Sequence, residues 1–118
     1  MHIALLAQKG KKELLLQFCA AHFGALARHT ISSSSVAGQM LQKSIGLEAT
    51  LVNACAQGGA QQMGAKVACG EIDMLFFFVD PNQVENMQEV AELTRLCDKH
   101  NIPYATNLAT AEVLIRTV

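Results

Sequence analysis

Four short stretches gather the residues that could do chemistry. Gln8-Lys9-Gly10-Lys11-Lys12 puts three lysines into four positions, and Ser32-Ser33-Ser34-Ser35 leads to Gly38. Asn53-Ala54-Cys55-Ala56-Gln57-Gly58-Gly59 is small and glycine-rich, and Asp80-Pro81-Asn82 sets an acid before a proline. The first three suit an anion. Small residues (Ser34, Ser35, Gly58, Gly59) let a ligand approach the backbone closely. A helix that starts beside them offers free N–H groups and a positive dipole end. Lys12 and its neighbours supply charge. A phosphate or carboxylate ligand is the chemistry these residues predict. Each stretch also has a plainer reading: a serine N-cap, a solvated helix start, a tight glycine turn. Their convergence on one side of the fold is the argument for a site.

Catalytic groups are sparser. Asp80 is the acid to consider for proton transfer, with Glu85 and Glu89 further along; its plainer role is a turn aspartate that bonds its own backbone. The histidines at 2, 22, 29 and 100 fall away from the four stretches and read as structural or surface residues. Cysteines stand at 19, 55, 69 and 97 without C-x-x-C or zinc spacing, so no metal site is expected. Cys19, Cys69 and Cys97 read as buried free thiols; Cys55 lies in the glycine-rich stretch. The string Gly59-Ala60-Gln61-Gln62-Met63-Gly64-Ala65-Lys66 approaches a P-loop but lacks its Gly-Lys-Ser/Thr ending.

The elements that must position these residues alternate along the chain. Strands are predicted at 2–7, 28–33, 49–53, 73–79 and 103–106. Helices are predicted at 11–23, 36–45, 60–69, 84–100 and 109–115, with Gly46 and Gly70 as stop signals. The stretch 73–79 is almost wholly apolar, as a central strand covered on both faces must be. The order βαβαβαβαβα predicts an α/β fold, a five-stranded parallel sheet between two helical layers, in one domain spanning 1–118. In such sheets ligands bind beyond the carboxyl ends of the strands, where the four stretches fall.

Composition narrows the function classes. The chain has 118 residues, 51% of them apolar and 16% charged, with a formal net charge of −1. Mean hydropathy is +0.24. Disorder needs the opposite balance. The longest apolar run, 74–79, is far short of the ~20 residues that cross a bilayer. There is no basic field and little aromatic surface for nucleic acid. The start, with apolar residues before the lysines, is unlike a secretory signal, so a reducing cytoplasm is expected. So few charges on so small a domain require a doubly covered sheet, or surface buried by copies of itself.

The motifs together resemble the methylglyoxal synthase family. Gly58-Gly59-Ala60-Gln61-Gln62-Met63-Gly64-Ala65 is similar to its GGDQQ-x-GA segment, and 72–81 (IDMLFFFVDP) to its ID-x-L-x-FF-x-DP strand end. Residues 101–111 (NIPYATNLATA) and 2–7 (HIALLA) are similar to its NIP-x-ATN-x-ATA and HIAL-x-A. The resemblance implies a three-layer α/β/α sandwich, a homohexamer, and conversion of dihydroxyacetone phosphate to methylglyoxal and phosphate without metal or organic cofactor. It also implies a carboxylate base, a neutral imidazole and a phosphate cradle, and this chain departs from all three. The family's base falls at Ala60 and its electrophilic histidine at Gln8; only the following lysine survives, as Lys12. The threonine-rich phosphate loop has become Ser34-Ser35-Val36-Ala37-Gly38. A further His-x-x-Asp falls near Asn86 and Glu89, and a phosphate-binding tail arginine falls beyond Val118. Losing base and electrophile each forfeits about 10²–10⁴ in rate.

Three functions follow as expectations. One is a catalytically degenerate relative that binds a small phosphorylated or anionic metabolite through Lys12, Ser34, Ser35, Gly58 and Gly59. Another is an active lyase with Asp80 or Glu89 as base. The third is a non-catalytic assembly module, a homo-oligomer or the partner of an active paralogue.

Overall fold

The chain folds as a five-stranded parallel sheet in the order β3-β2-β1-β4-β5, formed by His2–Ala7 (β1), Thr30–Ser34 (β2), Thr50–Val52 (β3), Met74–Phe78 (β4) and Tyr104–Ala105 (β5). The computed structural model describes residues 1–52, 59–83 and 87–118, with residues 59–61 described by backbone alone. β1 and β4 occupy the middle and run in register from Ile3 opposite Met74 to Ala7 opposite Phe78. Both are buried along almost their whole length, which is why their sequences are continuous apolar runs and not alternating ones.

Alternation along each strand still sorts side chains between two cores. Ile3, Leu5, Ala7, Ile31, Met74, Phe76 and Phe78 enter one core. Ala4, Leu6, Val52, Leu75 and Phe77 enter the other. Lys12–Ala21 (α1), Phe23–Leu26 (α2), Ser35–Ile45 (α3) and Leu108–Ile115 (α6) cover the first, through Leu15, Phe18, Leu26, Leu41 and Ile115. Gly59–Ala68 (α4) and Met87–Lys99 (α5) cover the second, through Met63, Val67, Val90, Leu93 and Cys97. The α/β/α sandwich is therefore as the sequence predicts.

The helix stops are local. Gly46 ends α3 at φ +74, a left-handed conformation that glycine adopts without a Cβ penalty. Apart from shifts of a single residue at element ends, three details differ from the sequence expectations. The helix expected over 11–23 ends at Ala21, preceded by a 3₁₀ turn at Lys9–Lys11; His22 (φ −118, ψ 25) breaks it, and α2 follows. The break turns Phe23 outward and Leu26 into the core, which a single helical period does not distinguish. β2 begins at Thr30 and extends to Ser34, not 28–33. Cys69 is exposed, whereas Cys19 and Cys97 are buried free thiols as expected. Cys69 is the first residue after α4, beyond the last helical turn that faces the core. Asn53, Cys55 and the start of the helix expected from residue 84 lie outside the described residues.

Candidate functional site

Strands 1, 2 and 3 step outward on one side of β1, while β4 and β5 lie on the other. The direction of the chain thus reverses between β1 and β4, and such a switch point opens a crevice at the carboxyl ends of the two strands. Gln8 and Asp80 stand there, following β1 and β4, and the structure joins them. The Gln8 N–H donates to the Phe78 carbonyl at 2.9 Å. The Asp80 N–H donates to Gln8 Oε1 at 2.6 Å. Gln8 is only 5% exposed, and its Nε2 is buried with no partner among the described residues. A buried amide donor left unpaired costs about 1–3 kcal/mol, and a ligand oxygen that accepted from it would recover that cost.

Asp80 has the turn role that sequence allows: its Oδ1 accepts from the Asn82 N–H at 3.0 Å. Its Oδ2 faces the Lys-rich turn. A Cβ at Gly10 would stand 3.0 Å from that oxygen, so glycine lets the turn lie directly on the carboxylate. The same turn is closed by the Lys11 N–H donating to the Gln8 carbonyl at 2.8 Å. Lys12 begins α1 and is half-buried.

Beside β1, β2 ends in the serine run. Ser34 is the N-cap of α3: its Oγ accepts from the Ala37 N–H at 3.2 Å, and the residue is buried. Ser35, the first helical residue, is half-buried. The N–H groups of Ser35 and Val36 belong to the first turn, where no intrahelical acceptor exists. Ser33 Oγ donates to the Leu5 carbonyl at 2.7 Å, and Ser32 Oγ meets His2 Nε2 at 2.6 Å; both tie β2 to β1. Gln8, Lys12, Ser34, Ser35 and Asp80 therefore share the carboxyl edge of three neighbouring strands.

Other expected site residues fall elsewhere. Gly58 and the side chain of Ala60 lie outside the described residues; Gly59 begins α4. Glu89 is in the first turn of α5 and lines a groove between α4 and α5, together with Glu92. His22 pairs with Glu112 at 3.0 Å and packs on Phe18 with ring centroids 4.9 Å apart, a structural role as expected. A larger recess, about 400 Å³, is lined by Phe23, His29 and Glu48 near the amino end of β2, far from the carboxyl edge. Among the described residues no three His, Cys, Asp or Glu side chains are placed to hold a metal ion, and no helix is long and apolar enough to cross a membrane.

A family model described as the MGS-like domain matches residues 15–106. The methylglyoxal synthase of Caldicellulosiruptor saccharolyticus is 43% identical over 100% of this chain and 84% of its own. The chain belongs to the methylglyoxal synthase family. The synthase of Natranaerobius thermophilus is 38% identical over 100% of this chain and 99% of its own. The crystal structure of the methylglyoxal synthase from Elizabethkingia anophelis superposes with a TM-score of 0.86 at 30% identity, covering 97% of this chain and 76% of that one. Within the family's frame, sequence reading treats Gln8 only as a missing histidine. What it overlooks is that Gln8 couples the ends of β1 and β4. The available signal was a long polar side chain placed directly after a wholly apolar central strand.

Proposed function

We propose that this chain is a catalytically degenerate methylglyoxal synthase-like protein that binds a small phosphorylated or anionic metabolite at the carboxyl edge of the sheet. The observation that carries the reading is Gln8, a buried amide at the switch point whose oxygen accepts from the Asp80 N–H and whose NH₂ has no partner among the described residues. That NH₂ accounts for a ligand acceptor. The first-turn N–H groups of α3, the Ser35 hydroxyl and Lys12 account for its anionic part, with the backbone at Gly58 and Gly59 closing the cradle by resemblance. Ser34 contributes by holding the first turn of α3 in place.

Chemistry argues against turnover. The family pattern places its base at Ala60, which accepts no proton, and its electrophile at Gln8, whose amide does not titrate near neutral pH. We place the protein in the cytoplasm as a homo-oligomer that needs no cofactor, in line with the family resemblance.

The test is calorimetric titration of the pure protein with inorganic phosphate and dihydroxyacetone phosphate, beside a sensitive methylglyoxal assay. Binding is expected, weakened about tenfold in Lys12→Met and Gln8→Leu, with no methylglyoxal formed. Ala60→Asp combined with Gln8→His is expected to raise methylglyoxal formation above background. Absence of binding by any anion contradicts the reading. Methylglyoxal formed by the unaltered protein and abolished by Asp80→Asn or Glu89→Gln assigns the base in the active-lyase alternative. Neither binding nor turnover leaves the assembly module.

A further inference from the structure

The outer surface of α4 and α5 carries a groove of about 330 Å³ that lies above the second core and apart from the Gln8–Asp80 pair. Its walls are small on one side (Gly64, Ala65, Ala68) and apolar on the other (Leu96, above the buried Leu93), and Glu89 and Glu92 stand at one end. Gly64 lets Leu96 of α5 pack close on α4, since a Cβ there would stand 3.0 Å from it, while the exposed Ala65 and Ala68 leave room for a third helix. Glu89 Oε2 is buried without a hydrogen-bond partner among the described residues. Among the described residues Glu92 accepts only from the neutral amide of Gln88, at 3.2 Å. Neither carboxylate pairs with a cation among the described residues. The groove therefore lacks an apolar ridge that ends in a positive charge.

The chain itself presents one. α6 lies on the opposite face of the sheet and packs inward through Ala111 and Ile115. Its outward face carries Ala109, Val113 and Arg116, spaced four and three residues apart on one helical side. Val113 is 59% exposed, the most exposed of the large apolar residues described. Arg116, also exposed, has no ion-pair partner among the described residues.

We infer that the α4–α5 groove receives α6 of a second copy of this chain, with Val113 between Leu96 and Ala65 and Arg116 on Glu89 and Glu92. The spacing fits an antiparallel approach. Arg116 follows Val113 by about one turn, as Glu92 precedes Leu96 by one. The carboxyl end of α6 meets the amino end of α5, so the helix dipoles oppose favourably. Donor and acceptor surfaces lie on opposite faces of the sheet. The contact is therefore head-to-tail, and each copy both gives and receives, so the assembly grows as a ring or an open chain rather than as a two-copy pair. This rests on the proposal that the chain self-associates, and it is independent of anion binding at the carboxyl edge.

The experiment is multi-angle light scattering and sedimentation on the full chain, wild type and variants, with urea melts run in parallel as a fold check. Wild type is expected as an oligomer larger than a dimer. Val113→Asp and Arg116→Glu are each expected to raise the dissociation constant at least about tenfold, as loss of a central contact does. Glu92→Arg alone is expected to do the same, and Glu92→Arg with Arg116→Glu to restore assembly by exchanging the charges. A monomeric wild type overturns both the self-association proposal and this contact. An oligomer indifferent to Val113→Asp and Arg116→Glu, or a charge exchange that fails to restore assembly in chains that still melt cooperatively, overturns this contact alone.

Discussion

Ser34→Ala separates the two roles open to the serine run, a helix cap and a ligand to an anion. Removing a Ser N-cap costs about 0.5–2 kcal/mol, typically near 1. The structure places this cap at the upper end of that range. Ser34 is 3% exposed and Ala37 0%, so water cannot replace the lost acceptor of the Ala37 N–H. A buried donor left unpaired carries its own desolvation cost of about 1–3 kcal/mol. The expected loss is about 1.5–2 kcal/mol. At about 4 °C per kcal/mol for a chain of this size, Tm falls by about 6–8 °C. Asn107→Ala supplies the comparison. Asn107 Oδ1 accepts from the Thr110 N–H at 3.0 Å at an exposed helix start, where water substitutes, so about 0.5–1 kcal/mol is expected. Urea melts followed by circular dichroism measure both. A second set in phosphate completes the argument: at ~100-fold excess over Kd a ligand adds about 2.7 kcal/mol to the native state. A cap leaves that increment unchanged within a few tenths. Ser34→Ala no more costly than Asn107→Ala would refute the burial argument. Ser34→Ala that erased the phosphate increment would make the hydroxyl a ligand instead.

Further predictions concern the cores. Burial pushes the Cys19 thiol up to about 12 and, with Asp98 beside it, that of Cys97 up to about 11. The folded state therefore keeps both protonated where the unfolded chain ionises them. Their contribution to stability is complete below about pH 9 and is lost as pH rises from there toward 11–12, which urea melts at stepped alkaline pH will record. In a Cys55→Ser background, Ellman's reagent at pH 8 is expected to find Cys69 promptly and Cys19 and Cys97 only on unfolding; three fast thiols would contradict the packing. Phe76→Ala is expected to cost about 3–5 kcal/mol, because the ring is fully buried on the central strand and meets Phe18 at 5.4 Å. A denaturation midpoint that moves by less than about 2 kcal/mol would mean the first core collapses to fill the gap.

Particular residues show where sequence was enough. The run 74–79 could be read as a doubly covered strand because six apolar residues bounded by Asp73 and Asp80-Pro81 are too few for a buried helix. Gly46 marked the end of α3 because its backbone conformation excludes most other residues. Asp80-Pro81-Asn82 marked a turn because each residue closes it locally. Phe23 and Cys69 were not legible. One helical period assigns both to an apolar face, and only the break at His22 and the end of α4 turn them to water. Glu89 was not legible either, since its place in a groove depends on how α4 packs beside α5.

By itself, then, the sequence determined the alternation of strands and helices, the parallel sheet, the family, and the list of polar residues at the carboxyl edge. All of these depend on periodicity, turn chemistry or motif, which act over a few residues at a time. The tertiary structure alone decided the strand order, the switch point between β1 and β4, and the bond by which Gln8 holds Asp80 across 72 residues of chain. It alone left an amide donor buried without an acceptor among the described residues. Such facts depend on which distant segments are brought together and sealed from water, and no local pattern encodes that.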